Sequence, residues 1–154
     1  LRILIPGCGN TYEAAYLLQQ GFTNVTVIDI APALVAQLKE KYNGNPHIKI
    51  ILGDFFEHEG EYDLILEQTF FCALNPALRN NYIPKMHTLL SPNGKLAGVL
   101  FNREFEQQGP PFGGGKDQYE PMFERDFVFK IFEPCTNSFI KRKDTELFII
   151  LIKK

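Results

Sequence analysis

Short apolar runs rich in β-branched residues take turns with amphipathic stretches along almost the whole 154-residue chain, and this alternation limits the fold more than any other feature. Leu1 to Ile5 reads as a strand, and Asn10 or Thr11 can cap a helix through Gln20 whose Ala14, Ala15, Leu17 and Leu18 make an apolar face. Val25 to Ile30 is the next strand. Pro32 stands where a first-turn proline belongs, and Asn43-Gly44-Asn45 stops the helix after Tyr42. Strands at His47 to Leu52 and Tyr62 to Glu67 follow. Asn75-Pro76 then opens a helical stretch that Pro84 should kink or divide before Leu90. After a turn at Ser91-Pro92-Asn93-Gly94 come a strand from Lys95 to Phe101, a Gly/Pro-rich loop through Gly115 and a short helix over Gln118 to Glu124. Two last strands, Phe127 to Phe132 and Glu146 to Lys153, have no room between them for a crossover helix and should pair antiparallel. Such alternation implies right-handed crossovers, so the expected architecture is α/β: a doubly wound, mostly parallel seven-stranded sheet with an antiparallel edge hairpin.

In a sheet of this kind ligands sit at the carboxyl ends of the strands. The first strand ends in Gly7-Cys8-Gly9, a turn that lets backbone approach a ligand. A dinucleotide-binding turn needs a third glycine, and Tyr12 holds that position, which disfavours a pyrophosphate and with it a nicotinamide-dependent oxidoreductase. Two glycines suffice for an adenosine-bearing ligand without phosphate, such as S-adenosyl-L-methionine. Asp29, at the end of the second strand, can accept hydrogen bonds from both ribose hydroxyls. After the third strand, Asp54 can meet an adenine amino group beside the Phe55 ring. Glu67, closing the apolar fourth strand, is expected to line the site, since a carboxylate there otherwise needs a partner. Cys8 has no histidine near it in sequence and reads as a small thiol packed under the turn, not a nucleophile.

Composition sets other classes aside. A formal net charge of −2 and a pI near 5.9 leave no basic patch for nucleic acid or an anionic membrane surface. The apolar run Leu147 to Ile152 is far too short to span a bilayer. The three cysteines form no CxxC pair, and His47, His58 and His87 share no ligand spacing, so neither a disulfide framework nor a metal site is expected. A reducing, cytoplasmic setting fits that usage. Residues 1–154 read as a single domain, and because Leu1 already lies in a strand, a further N-terminal segment is expected before it.

The stretches "PGCGNTYEA", "VIDI", "EQTFFCALNPALRNNYIPKMHTLL", "SPNGKLAGVLFN" and "GPPFGGGKDQYEPMF" resemble, in order, the thiopurine methyltransferase family and in particular its thiol and halide methyltransferase branch. The resemblance implies the Rossmann-like class I methyltransferase fold and S-adenosyl-L-methionine as cofactor. It places the cofactor at Pro6, Gly7, Cys8 and Gly9, with an acidic position at Glu13, and at Asp29, Ile30, Asp54, Phe55 and Glu67. It places a small-molecule methyl acceptor near Gln68, Phe70, Phe71 and the loop bearing Pro111 and Phe112. Family members specific for thiopurines carry an arginine after the fourth-strand carboxylate. Gln68 stands there in this chain, which implies a small soft nucleophile, a thiol, hydrosulfide, thiocyanate or halide, as acceptor. Methyl transfer from a sulfonium needs no metal and no covalent intermediate, so no catalytic side chain is assigned. The alternative readings are a thiopurine-type or other small-molecule methyltransferase, or a non-catalytic adenosine- or nucleotide-binding Rossmann module.

Overall fold

The computed structural model describes residues 1–154. One seven-stranded sheet organises them, in the order β3-β2-β1-β4-β5-β7-β6. β1 (Ile3–Pro6), β2 (Val25–Asp29), β3 (Ile48–Leu52), β4 (Tyr62–Gln68) and β5 (Leu90–Phe101) run parallel. β7 (Glu146–Lys153) pairs antiparallel with both β5 and β6 (Phe127–Pro134), as the short connection between the last two strands requires. The helices are α1 (Tyr12–Gln19), α2 (Pro32–Lys41), α3 (Phe70–Ala73), α4 (Arg79–Leu89) and α5 (Lys116–Phe123).

Successive side chains of a strand point to opposite faces, and β1 has an apolar layer to fill on each. Ile3 and Ile5 join Ala14, Leu17, Val25, Val27 and Leu38, the layer under α1 and α2. Leu4 points the other way, into a larger cluster with Ile65, Phe71, Tyr82, Met86 and Phe123, the layer under α3, α4 and α5. The strand order turns back between β1 and β4, and the crevice that opens at such a reversal is where the site lies.

Three expectations needed revision. Pro84 does not divide its helix: α4 passes through it from Arg79 to Leu89. Proline removes the bond to the carbonyl four residues back, but Pro84 and Asn80 are both exposed, so water can take that carbonyl. The stretch from Asn75 is instead a separate single turn, Pro76–Leu78, which Asn75 caps by accepting from the Ala77 N–H at 3.0 Å. The turn at residues 91–94 stands inside β5 as an irregularity, with Asn93 at φ 63° and a register shift opposite Tyr62 and Leu64. The short helix α3 was not expected at all.

Candidate active site

A cavity of about 420 Å³ opens at the carboxyl ends of β1 to β4, within the range of small-molecule sites. Gly7, Ile28, Asp29 and Ile30 wall one side, Gly53 to Phe56 the floor, and Gln68, Thr69, Phe70, Ala73 and Leu74 the other side.

The glycine turn has two different reasons for its glycines. Gly7 (φ 56°) and Gly9 (φ 55°) are both left-handed, a region that side chains disfavour. A Cβ built on Gly7 would overlap the Phe70 ring, whereas one on Gly9 meets nothing within 4 Å. Gly7 is therefore small so that the Phe70 ring can close on it, and Gly9 leaves an open face. Asp29 locks the turn to the end of β2: its Oδ2 accepts from the Gly9 N–H at 3.2 Å and its Oδ1 from the Ala31 N–H at 3.0 Å. Each carboxylate oxygen keeps a further lone pair, so Asp29 can still accept from a ligand. Ile30 holds its side chain 69% exposed at the rim.

Asp54 also lines the cavity. Its Oδ1 accepts from the Phe56 N–H at 2.8 Å, capping a single turn that carries Phe55 and Phe56. Phe55 is 5% exposed and packs edge-on to Phe70 and Phe56, both at 5.3 Å, so it offers the cavity an edge and backs the wall. Phe56 lines the cavity beside it and was not singled out in the sequence.

Glu67 is corrected. Its side chain turns away from the cavity into the interior, where it is 1% exposed. Oε2 accepts from the Phe70 N–H at 2.6 Å, and Oε1 accepts from the Phe71 N–H at 2.8 Å and the Tyr82 O–H at 2.7 Å. The carboxylate has the partner it needs within the protein. Burial pushes it up to about 7, against the lowering effect of those three donors.

The expected acceptor residues also divide. Gln68 and Phe70 line the cavity; Phe71 does not, because α3 turns its ring into the core against Tyr82 at 4.9 Å and Tyr119 at 5.4 Å. Pro111 and Phe112 do not reach it either. The Phe112 N–H donates to the Cys72 carbonyl at 2.7 Å, folding that loop over the far end of α3, and Pro111 borders a separate cavity of about 260 Å³ with Arg103 and Phe105. Of the residues expected to meet the cofactor, Pro6 ends β1 buried beneath the turn, and Glu13 lies half-buried in the first turn of α1. Neither they, Cys8 nor Gly9 wall the cavity directly. Burial, helped by Asp29, pushes the Cys8 thiol up to about 12, which leaves it a poor nucleophile. Thr11 precedes α1 with φ 51°, and its hydroxyl is buried without a partner instead of capping the helix.

The sequence also passed over Arg79. It is 7% exposed, lies over the Phe71 ring at 4.6 Å and donates from Nη2 to the Gly113 carbonyl at 3.0 Å, pinning the same loop. Nothing in residue type or spacing distinguishes it from a surface arginine.

A parallel sheet with an antiparallel edge, opening a crevice beside a glycine turn, defines the chain as having the class I methyltransferase fold. A model of the family described as thiopurine S-methyltransferase matches residues 1–147, and the chain belongs to that family. The probable thiol methyltransferase 2 of Arabidopsis thaliana is 32% identical over 126 residues, covering 79% of this chain and 55% of that protein. Thiocyanate methyltransferase 1 of Brassica oleracea is 29% identical over 127 residues, with the same coverages of 79% and 55%. The chain thus spans about half the length of the curated relatives it matches. Among solved structures, a 1,6-didemethyltoxoflavin-N1-methyltransferase from Burkholderia thailandensis, with that compound and S-adenosylhomocysteine bound, superposes with TM-score 0.79 at 20% identity, over 99% of this chain and 70% of that one. Among the described residues no helix is long and apolar enough to cross a membrane.

Proposed function

We propose that this chain carries the S-adenosyl-L-methionine site of a methyltransferase whose acceptor is a small soft nucleophile: a thiol, hydrosulfide, thiocyanate or halide. The observation that carries the reading is the asymmetry of the cavity. Its β1–β3 side offers what an adenosyl group needs, and its β4–α3 side offers no charge and no base.

The residues fit the cofactor. Gly7 brings backbone to the cavity wall with Gly9 open beside it, Asp29 retains acceptor capacity toward ribose hydroxyls, and Ile30 with Phe56 gives an apolar slot for a purine near the free oxygen of Asp54. Bound there, the cofactor supplies an activated methyl group on a sulfonium sulfur. The chain's part is to hold and exclude. Asp29 fixes the turn and orients the ribose, while Phe70, Ala73 and Leu74 keep water from the acceptor. A thiol titrates near pH 8.5, so a modest shift yields thiolate without a general base, and a halide or thiocyanate needs none. That matches a wall of Gln68, Thr69, Phe70, Ala73 and Leu74, none of which titrates. An anionic thiopurine, by contrast, calls for the paired charged hydrogen bonds of an arginine, and Gln68 cannot supply them.

The test is kcat/KM for hydrosulfide and iodide against a thiopurine, measured on the full-length enzyme. Preference for the small anions is expected. Preference for the thiopurine would overturn the acceptor assignment while leaving the cofactor site standing.

A further inference from the structure

Thr69 is the residue before α3, a place where threonine ordinarily caps the helix with its hydroxyl. Here the hydroxyl donates backward, to the Gln68 carbonyl at 2.7 Å, and makes no bond to the helix. Thr69 is also held at φ 55°, ψ 18°, a left-handed conformation that is a strained outlier for a β-branched residue. Such strain persists only where the surroundings impose it. The Phe70 and Phe71 N–H groups are among the first of α3 and have no partner within the helix, and both are taken by one buried carboxylate, Glu67, from the end of β4. Tyr82 on α4 holds that carboxylate from the other side. The Phe70 ring, positioned by this arrangement, lies so close to Gly7 that no side chain fits there.

We propose that Glu67 is a positioning residue: it clamps the strained Thr69 turn shut and so seats Phe70 on Gly7, making the acceptor wall and the glycine turn a single unit. Glu67 touches neither ligand and acts through Phe70. The inference rests on the proposed function only in calling that wall the acceptor side; the clamp can be tested without turnover.

The experiment follows the Gly7 and Phe70 resonances by NMR in Glu67→Gln, Thr69→Gly and the double variant. An aromatic ring on a glycine displaces the glycine signals, so Glu67→Gln should return Gly7 toward its free-chain position. Thr69→Gly removes the strain the clamp opposes and should restore at least half of that displacement in the double variant. A role confined to stability would lower the melting temperature without moving Gly7 and without rescue by Thr69→Gly. Unmoved Gly7 signals in folded Glu67→Gln, or absence of rescue, overturn the proposal. Should Glu67→Gln not fold, amide exchange in the wild type decides: Phe70 and Phe71 N–H should be protected at least a hundredfold, and exchange at free-amide rates overturns the clamp.

Discussion

The two sides of the cavity are built on different principles. On the β1–β2 side, a half-exposed carboxylate, Asp29, bonds only backbone N–H groups and keeps capacity for a ligand. On the β4 side, the carboxylate of Glu67, one residue before the strand's end, is buried and held by Phe70, Phe71 and Tyr82. Both stand at the carboxyl end of a strand in the same sheet. What separates them is what packs above. The Asp29 side is roofed by solvent and the glycine turn, while α3 and α4 close over Glu67 and bring Tyr82 to it. A strand-end acid is thus left open to the cavity or made an internal brace according to whether a helix covers it.

The glycine pair gives the sharpest way to break this contrast, because one glycine answers to each side. Gly7→Ala must accept a left-handed alanine and displace the Phe70 ring, a cost of about 2 to 4 kcal/mol from strain and overpacking together. Denaturant unfolding measures it; a cost no larger than that of Gly9→Ala would mean the two sides do not meet at Gly7.

Asp29→Ala removes the carboxylate proposed to accept from the ribose, together with the tie to Gly9, and should weaken adenosylhomocysteine binding by about 1.5 to 3 kcal/mol, as for other hydrogen bonds to a charged group. Calorimetry reads it directly, and an unchanged dissociation constant would move the ribose elsewhere. Glu67→Gln should differ in kind, because its effect lies in stability against pH. The folded carboxyl is raised to about 7 from 4.5, so the native state holds the proton more tightly than the unfolded chain. The associated stabilisation is fully present below pH 4.5 and is lost as pH rises through about 7, with a slope of up to about 1.4 kcal/mol per pH unit. Urea midpoints across that window should show the slope in the wild type and lose it in Glu67→Gln; parallel curves would mean that Glu67 titrates normally. Gly9→Ala, with open space around it, should cost only about 1 to 2 kcal/mol of stability, the left-handed penalty alone.

The sheet was legible because period-two and period-3.6 patterns survive in single segments: Ile3 and Ile5 against Leu4 announce a strand buried on both faces. The glycine turn and Asp29 were legible for the same reason, since strand ends fix where a ligand can lie. What escaped reading depends on packing between distant segments. α3 has four residues, too few to carry a period, and its direction alone decides that Phe70 faces the cavity while Phe71 faces the core. Tyr82, fifteen positions beyond Glu67, becomes its partner only once α4 lies across the sheet. Pro111 and Phe112 were drawn toward the cavity by resemblance, but the Phe112 N–H finds the carbonyl of Cys72 on the far side of α3. Pro84 misled because a local rule about helix breaking ignores whether the orphaned carbonyl can reach water.

The central claim is that the crevice between β1 and β4 takes an adenosyl ligand without phosphate. Calorimetric titration of the wild-type chain with S-adenosylhomocysteine, and in parallel with a nicotinamide dinucleotide, tests it most directly. Saturable one-to-one binding of the first and none of the second is the predicted result; binding of the dinucleotide alone, or of neither, would contradict it.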